Sequence, residues 1–196
     1  MAVVTLPSTP SPRSITMRPL DFGVTQRPST GGPATRIIRA GTRWAADIEY
    51  PPMAVATAQP IFARIARAMD SGLQLVVPLA WSQSGAGTPN VNGSSSAGTS
   101  LLIKSATPGY QVREGFWITV ENGTDIFLHQ VAADATISVG GTATLSVWPP
   151  LRSAFVNGNG VELVQPFLWG WIVNPPEWPL PHNRIVQLSF SVEEMA

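Results

Sequence analysis

The side chains that could do chemistry are few and poorly spaced for it. There are two histidines, His129 and His182, and neither has a second metal-type ligand at a familiar spacing. His129 follows Phe127-Leu128 in a strand-like run, where a hydrogen-bonded structural histidine is the simpler reading. Asp47 and Glu49 lie two apart, so on a strand they share a face and could in principle form the acid and base pair that glycosidases use. The plainer reading is a solvated strand face or an arginine-lined interface. Glu193-Glu194, near the end of the chain, read as solvated. Serine is abundant, but no G-x-S-x-G elbow raises one of them to a nucleophile. The glycines of GAGTPNVNG (85–93) and of Asn157-Gly158-Asn159-Gly160 do not follow a strand and open a helix, as phosphate-cradling loops must. Asn92-Gly93-Ser94 and Asn122-Gly123-Thr124 match the glycosylation acceptor pattern, which carries no weight without a secretory signal. With 0 Cys there is no disulfide framework, thiolate metal site or cysteine nucleophile. The expectation is a chain without catalytic residues, metal or cofactor.

Aromatic residues offer a second kind of chemistry. Of the 7 Trp, Trp169, Trp171 and Trp178 cluster late, and Trp169 and Trp171 fall on one strand face. Exposed rings of this kind stack on sugars or anchor a protein interface. Core or subunit-interface packing is the preferred reading, because no neighbouring cluster of Asp, Asn and Arg would hydrogen-bond a sugar ring.

Composition points toward association. A chain of 196 residues that is 44% hydrophobic can bury a core, while only 12% is charged, against roughly a quarter in ordinary soluble domains. Its 12 basic and 12 acidic residues cancel, which removes the self-repulsion that keeps many proteins monomeric and offers no general attraction to nucleic acid. Lys104 is the only lysine, and Arg13, Arg18, Arg27, Arg36, Arg39 and Arg43 fall in the first third. They are spread out among Asp21, Asp47 and Glu49, so inter-subunit salt bridges are preferred to a phosphate-binding patch. The N-terminal residues lack the early charge and apolar core of a signal peptide, and no run approaches the length needed to cross a bilayer, which implies an intracellular soluble product.

The elements that must position these residues are mostly strands. Residues 1–14, with Pro7, Pro10 and Pro12 among Ser and Thr, read as a flexible arm that orders only against a neighbour or not at all. Strands are expected at 14–18, 36–39 and 43–50, the last two joined by a turn at Ala40-Gly41 and the third stopped by Pro51-Pro52. One helix is expected over 53–70, beginning near Gln59 or kinked at Pro60, with Ile61, Phe62, Ile65 and Met69 on its apolar side and Gly72 as its cap. A strand begins at Leu73. Residues 82–99 read as a long Gly/Ser loop. From Gly115 to Pro150, alternating runs broken at Asn122-Gly123 and Gly140-Gly141 predict an antiparallel meander closed by Trp148-Pro149-Pro150-Leu151-Arg152. Asn157–Gly160 reads as a hairpin turn flanked by strands at 161–164 and 167–173, and 185–192 as a last strand. There is no internal repeat.

Several of these segments share wording with a known family. Val112-Arg113-Glu114-Gly115-Phe116-Trp117-Ile118, Phe127-Leu128-His129-Gln130-Val131 and Gly141-Thr142-Ala143-Thr144-Leu145-Ser146-Val147-Trp148-Pro149-Pro150-Leu151-Arg152 resemble the distal tail proteins of long-tailed phages, in their short form without a large receptor-binding insertion. The opening Trp44-Ala45-Ala46-Asp47-Ile48-Glu49-Tyr50-Pro51-Pro52-Met53 and the ending Ser189-Phe190-Ser191-Val192-Glu193-Glu194 are similar to that family's two flanking parts. The resemblance implies a mainly β fold: a split β-barrel domain with one helix, made from 15–81 and 183–196, which forms a ring, and an inserted antiparallel β domain over 100–182. It also implies a virion protein in a homo-oligomer, commonly a hexamer, assembled in the host cytoplasm. Such a ring joins the tail tube protein to hub and fibre proteins, lets DNA through its lumen as passing cargo, and has no catalysis or membrane contact. Candidate interface residues are then Arg36, Arg39, Arg43, Trp44, Asp47, Glu49, Trp169 and Trp171. The alternative is a carbohydrate-binding β-sandwich module of a receptor-binding apparatus, resting on the late tryptophans.

Overall fold

The computed structural model describes residues 3–29, 31–39, 41–93, 98–179 and 181–195. In chain order the elements are β1 (Val4–Thr5), β2 (Ser14–Leu20), β3 (Val24–Gln26), β4 (Thr35–Ile37), β5 (Arg43–Glu49), β6 (Met53–Ala54), α1 (Val55–Ser71) and β7 (Leu73–Val76). There follow β8 (Gly87–Val91), β9 (Gly98–Ala106), β10 (Gln111–Val112), β11 (Trp117–Asn122), β12 (Asp125–Val131), β13 (Ala135–Thr136), β14 (Ala143–Leu151), β15 (Val161–Glu162), β16 (Phe167–Asn174), β17 (Ile185–Val186) and β18 (Ser189–Glu194). The fold is mainly β with one helix among the described residues, as expected.

Two six-stranded sheets carry it. The first has the order β1-β7-β16-β18-β5-β2 and the second β15-β11-β12-β14-β9-β8. Alternation explains the pairing. In β5, Trp44, Ala46 and Ile48 point inward, and in β18 Phe190 and Val192 do; Ile48 lies opposite Phe190 and Ala46 opposite Val192. A one-residue slip would turn this whole set to solvent, so the register is fixed by burial. Helix α1 closes the inner side with Ala58, Ile61, Ile65 and Ala68, spaced so that they form one stripe.

The helix departs from expectation at its start. It begins at Val55 and not near Gln59, so Pro60 lies inside it. Its first turn is fixed from outside, by the Val55 N–H donating to the Arg184 carbonyl at 3.0 Å and by Ala58 being fully buried, which outweighs the proline's missing donor. Met69, expected on the apolar side, is exposed. Gly72 does end the helix, with a φ of 78° and its N–H on the Ala68 carbonyl.

The second sheet is a nearly closed barrel. Its open side lies between β8 and β15, and the turn around Asn157-Gly158 bridges it: the Val91 N–H donates to the Asn159 carbonyl at 2.8 Å and the Gly158 N–H to the Val91 carbonyl at 3.0 Å. The Asn-Gly signal therefore marks a turn, but one that seals a barrel instead of joining two paired strands. Residues 82–99 are also not one loop, since Gly87–Val91 is a strand paired with β9. Buried Ala86 and Val91 supply the apolar anchors that its polar composition hides; Ser94–Ala97 lie outside the described residues, as does Ala40 of the expected turn. Strand β16 falls in the stretch assigned to the inserted unit, yet it pairs with β7 and β18, so the first sheet draws on residues up to Asn174 from inside the 100–182 range. The N-terminal segment lies on its own chain: Val4 is buried in the first core and pairs opposite Leu73, while Met1 and Ala2 lie outside the described residues. No helix among the described residues is long and apolar enough to cross a membrane.

Candidate assembly surface and the junction behind it

Outward-facing positions of the first sheet collect most of the residues singled out above. Asp47 and Glu49 do share a face. Asp47 accepts from Arg18 Nε at 3.0 Å and Ser191 Oγ at 2.6 Å, and Glu49 from Gln187 Nε2 at 2.7 Å. Around them Ser14, Thr16, Ser189 and Asn174 line a shallow open cleft. The two carboxylates are thus held by hydroxyl, amide and guanidinium groups on an exposed sheet surface. Trp169 and Trp171 lie on the same outer face two strands away, Trp171 opposite Glu193 and Trp169 opposite Gln74.

Between β2 and β5 the chain leaves the body as a hairpin arm, residues 21–42, built on β3 and β4. Phe22, Val24, Ile37 and Ile38 are exposed on it, Ile38 by 72%. Arg36 pairs with Asp21 inside the arm, and Arg39 is exposed. Arg43 sits at the arm's root, its guanidinium 5.2 Å from the Phe22 ring centroid and 3.9 Å from Glu193.

Trp44 points the other way. It is buried, and its ring meets Trp117 of β11 at 4.6 Å and Trp148 of β14 at 5.0 Å between centroids, both edge-on. These three rings join the two sheets, so Trp44 is an interface residue between parts of one chain.

Beside them sits the residue that the sequence reading missed. Glu194 is buried, not solvated. Its carboxylate accepts the Trp44 N–H at 2.9 Å and the Leu128 N–H at 2.8 Å, and pairs with buried Arg152. One side chain thereby ties β5 and β18 to β12 and the end of β14. Burial pushes the carboxyl above its ordinary value, with Arg152 and the two N–H groups pulling against it. A signal was present: continuing the Phe190, Val192 alternation places Glu194 on the core face. Gln83 and Thr119 complete the junction. Gln83 Nε2 donates to the Trp117 and Leu163 carbonyls at 2.7 and 2.6 Å, while its Oε1 accepts the Trp117 N–H at 3.0 Å. Thr119 Oγ1 both donates to the Phe167 carbonyl and accepts the Phe167 N–H, each at 2.8 Å. Neither had a local sequence signal, for Gln83 lies in the Gly/Ser stretch and Thr119 in ordinary alternation.

His129 is fully buried, with Nδ1 2.8 Å from the Pro149 carbonyl. Desolvation pushes its pKa down to about 4, helped by the Arg152 charge and opposed by the bond to Pro149. It is neutral at physiological pH and structural, as its position in the sequence suggested. No cluster of metal-type ligands occurs among the described residues.

No protein-family model matches this chain, and no curated protein matches it.

Proposed function

We propose that the chain is a structural protein of a phage tail tip, assembled from copies of itself into a ring, commonly of six, that connects the tail tube to hub and fibre proteins. The observation that carries the reading is the arm of residues 21–42. It places four large apolar side chains in solvent, with β3 and β4 paired only to each other among the described residues, an arrangement that association with a neighbour would relieve. The resemblance in residues 109–152 and in the two flanking segments supports it, as does a layout in which both ends of the chain complete one sheet around an inserted barrel. The polar half of the outer face, with Asp47 and Glu49, offers carboxylates to arginines such as Arg39 of an adjacent copy. Neutral overall charge suits a lumen through which DNA passes without sticking. In this reading the chain has no catalytic step, and its place is the virion.

Negative-stain images of the purified full chain test this directly, with closed rings around a central hole as the expected result. Scattered small particles at every concentration, together with a glycan-array signal, would favour the sugar-binding alternative. That alternative draws less from the geometry. Trp178 lies on Phe62 with ring centroids 4.8 Å apart and Trp169 is packed over Gly72, which leaves Trp171 alone of the late three exposed.

A further inference from the structure

The outward side of the first sheet is divided. Along β2, β5 and β18 it is mostly polar, with Ser14, Thr16, Asp47, Glu49, Ser189 and Ser191. Along β16 it is apolar: Phe167, Trp169, Trp171 and Val173 alternate with inward Leu168, Gly170 and Ile172. An antiparallel sheet with one wet side normally keeps that side polar, so β16 is the strand out of keeping. Its own chain covers only the first part of this strip. Trp169 and Met195 close over Gly72, whereas Trp171 and Val173 stay 41% and 45% exposed.

The arm presents a matching surface. Val24 lies opposite Ile37 in the β3–β4 register, so the two side chains share a face, and Phe22, two residues before Val24, falls on it as well. All three are exposed. In the single chain this face and the strip do not meet, because the arm roots on β2 and β5, and β18 separates β5 from β16. Each is left in solvent.

Charge decides which surfaces are compatible. The arm, residues 21–42, carries Arg27, Arg36 and Arg39 against Asp21 alone, so two arms laid on each other would repel. The outward side of the sheet has the opposite sign, with Asp47, Glu49 and Glu193 against Arg18 and Arg43. Glu193 is the residue directly opposite Trp171, so a guanidinium arriving with the arm meets both a carboxylate and an indole face. Position adds direction. The arm and the strip lie toward opposite edges of the sheet, and a contact between two different patches runs head to tail, the type that closes into rings.

We propose that the Phe22, Val24 and Ile37 face of the arm docks on the Trp171 and Val173 strip of an adjacent copy. The partner is a second copy of this chain, and each copy gives one arm and receives one. The contact takes exposed apolar surface out of water on both sides and brings the arm's arginines to the carboxylates beside the strip. The inference rests on the ring reading and names the surface that receives the arm.

Two full-length variants test this by sedimentation velocity. Trp171→Lys with Val173→Lys blocks the strip and leaves the arm intact, while Val24→Lys with Ile37→Lys blocks the arm and leaves the strip intact. All four positions are exposed, so denaturation midpoints equal to that of wild type are expected; should the paired strip change lower the midpoint, Val173→Lys alone takes its place. Each variant by itself is expected to run as a single subunit. An equimolar mixture should form a dimer that grows no further, because it contains one usable arm and one usable strip. A strip variant that assembles like wild type overturns the docking and leaves the ring standing, and so does a mixture that stays as single subunits at concentrations where wild type is fully assembled. A wild type that is itself a single subunit overturns the ring reading, and the docking with it.

Discussion

The barrel and the first sheet treat their edges in opposite ways. In the barrel, backbone bonds between Val91 and the Asn157–Gly160 turn close the gap between β8 and β15, and the Asn90–Gly160 bridge completes the circuit. In the first sheet, β2 has no strand beyond it among the described residues, and two residues of β1 are all that pair with β7 on its outer side. Unpaired edges invite other chains, and closure removes the invitation. The barrel is therefore the part whose strands are closed on themselves, and the open sheet with its arm is the part left with edges that the proposed ring would use. The Glu194 junction, with Trp44, Trp117 and Trp148, makes the two behave as one body.

The largest effect is expected from breaking that junction. Glu194→Ala leaves buried Arg152 without its carboxylate and the Trp44 and Leu128 N–H groups without an acceptor, and should cost about 3–5 kcal/mol in chemical denaturation. It should also split the single transition into two, the barrel melting apart from the open sheet. A single unchanged transition would mean that the junction is not what couples them.

Next is Gly170→Ala, which acts on the open sheet alone. A Cβ there would stand 2.1 Å from the Glu193 carbonyl oxygen and 2.6 Å from its carbon, atoms of the β18 backbone that cannot step aside. A loss of about 3 kcal/mol or more is expected, and hydrogen exchange should rise in β16 and β18 while the barrel amides stay protected.

Acid sharpens the comparison from the barrel side. His129 has its folded pKa lowered to about 4 from an ordinary 6.5, so the unfolded chain binds a proton first as pH falls. Its contribution is complete above pH 6.5 and is lost between there and about pH 4, at a slope approaching 1.4 kcal/mol per pH unit and about 3 kcal/mol in all. The raised carboxyl of Glu194 works in the opposite direction above its ordinary range. Denaturation curves of a His129→Asn variant should therefore lack the loss that wild type shows between pH 6.5 and 4; identical pH profiles would contradict the buried neutral imidazole.

The smallest effect on the subunit is expected at Asp47→Ala. Its ion pair with Arg18 is nearly half exposed, so less than about 1 kcal/mol should be lost from the isolated fold. Any larger change should appear in assembly, read as a weaker oligomer at equal subunit stability.

How much of this was legible follows from the range of each signal. The strand at 43–49, the paired strands within 117–131, the turn at Asn122-Gly123 and the cap at Gly72 are local patterns of alternation and backbone freedom that the structure keeps, whereas the last strand, expected over 185–192, breaks after Val186, where β17 pairs with β6, and resumes as Ser189–Glu194. Pairing order is not local: nothing in Phe167–Asn174 announces that it leaves the barrel region to lie between β7 and β18. The strand at Gly87–Val91 was hidden because its pairing, and not its composition, makes it a strand. Glu194 could have been found by following the alternation one step past Val192, but a pair of acidic residues near a terminus reads as solvated. Gln83 serves backbone groups more than thirty residues away, a role that no spacing in the sequence encodes.

Sedimentation velocity of the purified full chain across a hundredfold concentration range weighs most directly on the claim that the open sheet is completed by copies of itself. A species of several subunits is expected, collapsing to one subunit when residues 22–42 are replaced by a short turn while the denaturation midpoint of the barrel is unchanged. A full chain that sediments as a single 20.9 kDa subunit throughout would contradict it.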